Sequence, residues 1–289
     1  MIYLFLVSLL WAFSFGLIKT NLSNLDSNFV SFVRMFISLI MFIPFVKIRT
    51  LPKQIILKLF ITGMVQFGIM YIAYIYSFRY LDAYEVALFT IFTPLYVSLI
   101  NDILTKKFHK MFLISATLAF AGAGIIKFSG LANENLLMGF LFVQISNLSF
   151  AAGQIFYKRI LEQSREIKDK DVFAVMYAGA AFVTLIASLF TTNYSQLNIS
   201  MEQIFTLLYL GAVASGLAFF LWNYGARRTN TGALAVFNNL KIPLAIAVSL
   251  IFFGEQTDLI KLFIGGGVIA LALFVNEKIS NKKITAENS

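Results

Sequence analysis

The sequence contains no cysteine and only one histidine among its 289 residues. Without cysteine there is neither a disulfide framework nor a thiolate metal site, and the redox compartment cannot be inferred from cysteine usage. The single histidine, His109, lies in a basic stretch with Lys106, Lys107 and Lys110, where we expect no metal role. We therefore predict no metal ion and no cofactor.

Charged residues are also scarce, at 13% of the chain, where a soluble domain carries about 25%. They are confined to short stretches between apolar runs of about twenty residues, the length that crosses roughly 30 Å of hydrocarbon. Lipid offers the backbone no hydrogen-bond partners, so such runs must be helical. The sequence therefore predicts an all-α integral membrane protein in contact with the lipid bilayer.

Ten apolar runs can be counted between polar breaks. The first lacks a basic leading region and a small-x-small cleavage site, so we interpret it as a retained helix rather than a signal peptide. The predicted spans are 2–20, 27–48, 55–79, 84–104, 110–128, 136–158, 171–191, 202–226, 231–253 and 258–276.

The distribution of lysine and arginine predicts the orientation. Of the 23 basic residues, 17 lie in the even-numbered connections and the C-terminal tail and four lie in the odd-numbered connections. The positive-inside rule then places both termini in the cytoplasm of a multi-pass protein of the cell (inner) membrane. The net charge of +9 is thus a topology signal, and no nucleic-acid partner is needed to explain it.

The second half of the chain repeats the pattern of the first. Because five spans is an odd number, the second half enters the membrane from the opposite side, which makes an inverted repeat of the kind that supports alternating access. We predict one repeat over 1–130, a second over 131–278 and a short polar tail over 279–289. The matching residues, at offsets of 139 to 149, are Ala12/Ala151, Lys19/Lys158, Gly63/Gly211, Gly68/Gly216, Tyr76/Tyr224, Arg79/Arg227, Pro94/Pro243, Gly122/Gly265 and Gly124/Gly267.

An ordered set of short motifs is similar to the drug/metabolite transporter superfamily, EamA-type. It comprises the stretch from Leu10 to Gly16 in span one, Arg34 in span two, Ala87 to Leu95 in span four, Gly216 to Tyr224 in span eight, and Gly232 to Pro243 followed by Gly254-Glu255 at span nine.

The resemblance implies a ten-helix fold of two inverted five-helix repeats around a central cavity. Helices three, four, eight and nine, with parts of one and six, would line that cavity. It also implies transport of a small metabolite such as an amino acid, organic acid, amine, sugar or nucleotide-linked solute. The chain departs from the symmetric pattern at Thr105-Lys106, which stands where the second half has Gly254-Glu255.

Lys241 is the ionisable residue nearest the middle of a predicted span. It lies ten residues into span nine, about 15 Å deep at roughly 1.5 Å per residue, after Asn238 and Asn239 and before Pro243. Charges at such depth face a cavity or a partner. We expect Lys241 to receive a substrate carboxylate or similar anion, the alternative being a structural contact with another buried polar group.

Arg34 is the second charge inside a span, and Glu85 lies on the same side at the start of span four. We expect these two residues to form a gating or structural ion pair, with direct substrate contact by Arg34 as the alternative. Removing one partner of a buried pair is costly, so loss of Glu85 would then harm folding about as much as loss of Arg34.

Further polar residues inside the spans are candidates for the cavity wall. Gln66, Tyr71, Asn147, Asn238 and Asn239 either line the cavity or join helices by hydrogen bonds. Trp222 lies near a span end and is expected to be an interfacial anchor. Pro94 and Pro243 each remove a backbone donor and are expected to break their helices.

Three other classes of function remain as alternatives. A membrane enzyme would need paired carboxylates or a nucleophile with a base, yet nearly all 14 acidic residues lie in loops. A channel would tend to show a repeated filter or charged rings. An exporter of amphiphilic amines or drugs is opposed by the central cation Lys241. We predict a secondary transporter of an amino acid, carboxylate or related anion; the direction, the coupling ion and the choice between monomer and homodimer stay open.

Overall fold

A computed structural model describes residues 2–106, 134–164, 166–228, 231–256, 258, 260, 264, 267, 268 and 271, without the side chains of residues 50, 134 and 231–236. The predicted span five, His109, most of span ten and the tail 279–289 lie outside the described residues. The glycine pairs that match spans five and ten therefore stay predictions.

Eight long helices account for most of the described chain. Seven of them are long and apolar enough to cross a membrane, by length and composition. The eighth helix also corresponds to a predicted span. The helices are α1 (Ile2–Leu22), α2 (Ser27–Phe45), α3 (Lys53–Ser77), α4 (Ala83–Thr105), α5 (Glu134–Glu162), α6 (Asp169–Thr191), α7 (Met201–Arg227) and α8 (Thr231–Phe252). Helices α1 to α4 correspond to predicted spans one to four, and α5 to α8 to spans six to nine.

Side-chain caps define where several of these helices begin. Asp26 accepts hydrogen bonds from the backbone N–H groups of Asn28 and Phe29 at the start of α2. Asp82 and Glu85 form a capping box at the start of α4, as Ser200 and Gln203 do at the start of α7. Such caps satisfy the first backbone donors of a helix, which have no partner within it.

Large apolar side chains cover the outside of the bundle. Phe190 is 86% exposed, Ile251 74% and Phe205 69%. In water such a surface would be unfavourable, whereas in a bilayer the lipid chains are as apolar as these side chains. The exposed faces therefore fit a lipid environment, as the composition predicted.

Helices of the two halves pack mainly against each other. Helix α1 lies along α8, α2 lies along α6 and α7, and α3 lies between α5 and α6. Gly63 of α3 and Gly179 of α6 allow the closest of these approaches: a Cβ atom at Gly63 would overlap the backbone of Met176, and one at Gly179 that of Phe60. The interior is consequently built from both halves.

Several helices depart from regular α-helical geometry at their middle. Wider π-helical turns occur at Met64–Ile69 in α3 and at Leu210–Leu217 in α7. If 148, the offset between Gly63 and Gly211, is added to the residue numbers of the first segment, it nearly coincides with the second. Such turns are rare and are frequent at functional sites, so they mark the part of the bundle where a site is expected.

The odd-numbered connections lie at one end of the bundle, where polar contacts join them. Lys19 lies 3.5 Å from the carboxylate of Asp82, and Arg79 lies 3.4 Å from that of Asp26. Thr192 donates to Asp26 at 2.6 Å. Two of the four cations in the odd-numbered connections are therefore paired with carboxylates at this end.

Glu255 joins α8 to the first turn of α4 at the same end. Gly254 adopts a positive φ of 66°, which favours glycine because it has no Cβ. The Glu255 carboxylate then accepts hydrogen bonds from the backbone N–H groups of Ala83 at 2.8 Å and Tyr84 at 3.1 Å, and from the Ser249 hydroxyl. A negative charge at a helix N-terminus is favourable because of the helix dipole.

We expect Glu255→Gln to destabilise the protein, because an amide loses the charge and turns one N–H group toward the backbone donors. Hydrogen bonds to charged groups contribute about 1.5–3 kcal/mol. The measurement is the thermal midpoint of the detergent-purified protein. Glu202→Gln is the matched control, since Glu202 is an exposed residue in the first turn of α7. Equal midpoints for the two variants would contradict a stabilising role of Glu255.

Candidate functional site

A cavity lies at the centre of the bundle between the two halves. About 530 Å³ of empty space lies between its walls, the part open to the outside included, within the range of about 300–1,000 Å³ typical of small-molecule sites. It is lined by Trp11, Ser14, Phe15, Arg34, Met70, Tyr71, Tyr74, Thr90, Thr93, Ser146, Asn147, Phe150, Phe219 and Lys241.

The wall comes from α1, α2, α3, α4, α5, α7 and α8. This set contains every helix that the resemblance implied, with α2 in addition. Four of the residues singled out from the sequence line the cavity: Lys241, Tyr71, Asn147 and Arg34. The structure does not place Gln66, Asn238, Asn239 or Glu85 on the wall.

Lys241 is buried, with 6% of its surface exposed. Its ammonium lies 5.3 Å from the centre of the Trp11 ring and 6.0 Å from that of Phe150, in cation–π geometry. Its hydrogen-bond partner within the described chain is the Asn238 side-chain oxygen, at a long 3.4 Å. An ammonium has three donors, so Lys241 retains capacity for a ligand.

Arg34 is 1% exposed and is held by two neutral hydroxyl groups. Its Nε donates to Ser215 at 3.1 Å and its Nη2 to Tyr71 at 2.8 Å, and these two hydroxyls are themselves 2.8 Å apart. The guanidinium also lies over the Tyr71 ring, 4.5 Å from its centre. Nη1 has no hydrogen-bond partner among the described residues.

The structure does not bring Arg34 and Glu85 together. Glu85 accepts a hydrogen bond from the backbone N–H of Asp82 at 2.9 Å as part of the capping box of α4. No ion pair of the described residues joins it to Arg34. The ion pair predicted from the sequence is therefore absent between these two residues. Glu85 instead completes a helix cap, as a glutamate at the third position of a helix can, and Arg34 contacts hydroxyl groups.

Ser215 is positioned by the π-helical turn of α7 and by Tyr177 of α6. The Tyr177 hydroxyl lies 2.8 Å from the carbonyl oxygen of Ser215 and 2.7 Å from that of Gly216, so its proton is shared between them. A widened turn leaves carbonyl groups without their usual α-helical partners. Tyr177 donates to two carbonyl groups of this turn, of which that of Ser215 also accepts from the backbone N–H of Ala218, and thereby fixes the residue that holds Arg34.

Asn147 stabilises an interruption of α4 next to Pro94. Proline lacks the N–H that would bond to the carbonyl four residues earlier, and α4 is 3-10 helical over Thr90–Phe92. The Asn147 amide donates to the Phe89 carbonyl at 2.9 Å, and the Thr93 hydroxyl donates to that of Thr90 at 2.8 Å and to the Asn147 oxygen at 3.1 Å. The interruption expected at Pro94 is a 3-10 turn within α4, where the Thr93 hydroxyl satisfies the Thr90 carbonyl and Asn147 satisfies that of Phe89.

Pro243 does not break its helix. Helix α8 continues from Thr231 to Phe252 with Pro243 inside it. Membrane helices tolerate proline because neighbouring groups compensate for one lost backbone bond. The break predicted at this position is therefore corrected: Pro243 removes a single donor and leaves the helix continuous.

Three of the predicted polar candidates lie behind the wall. Gln66 is fully buried and donates to the Asn223 side-chain oxygen at 3.1 Å, which links α3 to α7. Asn238 holds Lys241, and Asn239 is half-buried in α8. Gln66 therefore joins two helices, which was its alternative interpretation, whereas the Asn238 contact lies within α8 and the Asn239 side-chain oxygen has no hydrogen-bond partner among the described residues.

An aromatic cluster forms much of the wall, and the polar residues within the predicted spans gave no indication of it. Trp11 packs on Phe219 at 4.9 Å and on Trp222 at 5.1 Å between ring centres, and its indole N–H donates to the Ala214 carbonyl at 2.9 Å. Trp222 is fully buried, so the expectation that it anchors at the membrane interface is wrong. Trp11 belongs to the Leu10–Gly16 motif, which was the available signal.

The wall is positively charged. Two cations, Arg34 and Lys241, line the cavity, and neither Asp nor Glu occurs among the wall residues of the described chain. In a low-dielectric interior an unpaired cation attracts an anionic group strongly. The arrangement can therefore hold a flat, largely apolar molecule that carries a carboxylate.

The comparisons with known proteins agree on one family. A sequence model described as the EamA-like transporter family matches residues 1–128 and 137–277. A "Probable biotin transporter" of Pseudomonas aeruginosa is 36% identical over 98% of this chain and 99% of its own, and a "Biotin transporter" of Escherichia coli K12 is 35% identical over 96% and 93%.

More distant similarities extend over nearly the same length. A "Probable amino-acid metabolite efflux pump" of Escherichia coli K12 is 23% identical over 94% of this chain and 92% of its own. A solved crystal structure at 15% identity superposes with a TM-score of 0.67 over 94% of each chain, which supports the fold alone.

We expect Tyr177→Phe to destabilise the protein by about 1–3 kcal/mol, because the carbonyl groups of Ser215 and Gly216 lose a buried side-chain donor. Thermal unfolding in detergent measures the effect. Tyr80→Phe is the control, since the half-buried Tyr80 hydroxyl has no hydrogen bond to the described residues. Unchanged stability of the Tyr177 variant would mean that the widened turn of α7 does not depend on that hydroxyl.

Proposed function

Because this chain belongs to the EamA-like transporter family, we propose that it is a secondary transporter of biotin or of a closely similar carboxylate. The observation that carries the proposal is the central cavity, where Lys241 lies against aromatic rings on a wall without an acidic residue in the described chain. The two biotin transporters that share about a third of the sequence support the choice of substrate.

The carboxylate of the substrate pairs with Lys241. Among the described residues the ammonium has one hydrogen bond, a long one to Asn238 at 3.4 Å, so most of its donor capacity is available to a ligand. A substrate carboxylate adds a charge-assisted bond of the strongest kind that side chains make. Binding thereby neutralises a cation that is costly to bury alone.

The ring system of the substrate packs against the aromatic wall. Biotin consists of two fused five-membered rings and an aliphatic chain that ends in a carboxylate, so most of its surface is apolar. Trp11, Phe150, Phe219 and Tyr74 line the cavity and provide flat apolar faces with few exposed polar groups. Apolar walls with a small number of placed polar groups are typical of metabolite sites.

The second candidate is export of an amino acid or a related metabolite, favoured by the similarity to the amino-acid metabolite efflux pump. The wall disfavours it, because the ammonium of an amino acid would meet two cations and no carboxylate of the described wall. An amphiphilic amine meets the same repulsion. Biotin carries a carboxylate without an opposing cation, so it fits the charge of the cavity better.

We further propose ten transmembrane helices in two inverted repeats, 1–130 and 131–278, followed by the tail 279–289. Three packing pairs support this symmetry: α1 with α8 resembles α5 with α4, α3 with α6 resembles α7 with α2, and α3 with α5 resembles α7 with α1. The matching π-helical turns of α3 and α7 support it as well. Exchange of conformations between the repeats provides alternating access to the cavity.

We expect Lys241→Met to abolish high-affinity biotin transport. Loss of a charge-assisted hydrogen bond costs about 1.5–3 kcal/mol, which is roughly 10-fold to 150-fold in affinity. The measurement is counterflow of labelled biotin into proteoliposomes loaded with unlabelled biotin.

The control for Lys241→Met is Lys58→Met, which removes an exposed lysine of α3. Full biotin counterflow by the Lys241 variant would remove the lysine from the proposed site. If well-folded wild-type protein accumulates no biotin while it accumulates an amino acid, the substrate proposal is overturned in favour of the second candidate.

We also propose that both termini are cytoplasmic in the inner membrane, from the charge distribution. The chain lacks cysteine, so single cysteines report topology without further changes. In intact cells an impermeant maleimide should label Ser195→Cys, in the exposed connection before α7, and leave Glu166→Cys, in the exposed connection before α6, unlabelled. The opposite labelling pattern would invert the orientation.

A further inference from the structure

Arg34 is a buried cation with a donor that no described residue of the protein accepts from. The residue is 1% exposed, it lines the cavity, and its Nη1 has no hydrogen-bond partner among the described residues. An unsatisfied buried donor costs about 1–3 kcal/mol, and more when it is charged. A protein that keeps such a group on a cavity wall gains from a ligand that satisfies it.

The contacts of Arg34 determine what kind of group fits. The hydroxyls of Ser215 and Tyr71 lie 2.8 Å apart and accept from Nε and Nη2, so they occupy this edge of the guanidinium as the two oxygens of a carboxylate would. A bidentate carboxylate is thus excluded from that edge. The unused Nη1 fits a single acceptor oxygen, such as a carbonyl.

A series of aromatic contacts connects the two cations. Lys241 lies against Trp11, Trp11 packs on Phe219 at 4.9 Å, and Phe219 packs on Tyr71 at 5.8 Å, over which Arg34 lies. Trp11, Phe219 and Tyr71 therefore form an aromatic surface that is in contact with the ammonium through Trp11 and with the guanidinium through Tyr71. A ligand that spans this wall presents one polar group to each cation and an apolar middle to the rings.

We infer that Arg34 is a second substrate-binding residue, whose Nη1 donates to the acceptor at the end of the substrate remote from the carboxylate that Lys241 holds. This inference rests on the proposed function. In biotin the remote acceptor is the ureido carbonyl oxygen. Tyr71 and Ser215 are positioning residues, because they orient the guanidinium from the opposite edge. Specificity then requires two acceptors separated by an apolar body.

The two ends of the substrate can be tested separately in counterflow, with unlabelled analogues that compete with labelled biotin. Biotin amide keeps the ureido carbonyl and loses the carboxylate charge, whereas 2-thiobiotin keeps the carboxylate and replaces the carbonyl oxygen by sulfur, a weaker acceptor. For wild type we expect each analogue to compete about ten-fold or more weakly than biotin, the equivalent of one hydrogen bond. This measurement requires no variant.

Two variants show which residue binds which end of the substrate. Arg34→Gln should lower the affinity for biotin and bring biotin and 2-thiobiotin to equal affinity, while biotin stays preferred over biotin amide. Lys241→Met should give the converse pattern. Lys58→Met should change neither ratio. Size-exclusion profiles and thermal midpoints establish that each variant is folded before the ratios are compared.

Several outcomes would overturn the inference. Wild type that does not distinguish 2-thiobiotin from biotin excludes a contact to the carbonyl, even if Arg34→Gln does not fold. Arg34→Gln that retains the preference for biotin over 2-thiobiotin returns Arg34 to a structural role. Loss of the preference over biotin amide in the same variant would reverse the two ends. Absence of biotin counterflow by folded wild type overturns the proposed function instead.

Discussion

Inside a bilayer each backbone carbonyl and amide must find a partner within the protein, and the central cavity occurs where regular helices do not meet that requirement. Helices α3 and α7 widen into π-helical turns, and α4 is interrupted before Pro94. Side chains donate to carbonyl groups at these irregular turns: Tyr177 to those of Ser215 and Gly216, and Asn147 to that of Phe89. The residues that repair the helices therefore also shape the wall.

Arg34 has no carboxylate partner among the described residues, and this gives the cavity its charge. An ion pair would neutralise the guanidinium and leave Lys241 as the cation of the described wall. The hydroxyls of Tyr71 and Ser215 satisfy two donors without cancelling the charge. Glu85 meanwhile completes a helix cap. The protein thus keeps two positive groups beside aromatic rings, where an anionic metabolite is attracted and where an organic cation is repelled.

The packing of the two halves connects the site to the rest of the bundle. Arg34 belongs to the first half and its partner Ser215 to the second, and Trp11 of the first half faces Lys241 of the second. A shift of one half relative to the other therefore changes both cation environments together. At the end where α4 begins, Glu255 connects the halves through the backbone of Ala83 and Tyr84.

The sequence alone determined the features that depend on composition and spacing. Apolar runs of about twenty residues require membrane helices whatever their partners, and eight of the predicted spans are helices in the described chain. The depth of Lys241 and Arg34 within their spans identified both cations. The break at Pro94 followed from the missing N–H group. The ordered motifs indicated the family, which the matches over 1–128 and 137–277 then established.

Tertiary structure decided the features that depend on which helices meet. Gln66, Asn238 and Asn147 have similar polar side chains within spans, yet one joins two helices, one orients a lysine and one repairs a broken helix. Arg34 and Glu85 lie on the same predicted side, but rotation of their helices gives them different partners. Trp222 lies near a span end and is nonetheless buried against Trp11. Sequence position gives depth in the membrane, whereas the direction of a side chain around its helix depends on the neighbours that the fold provides.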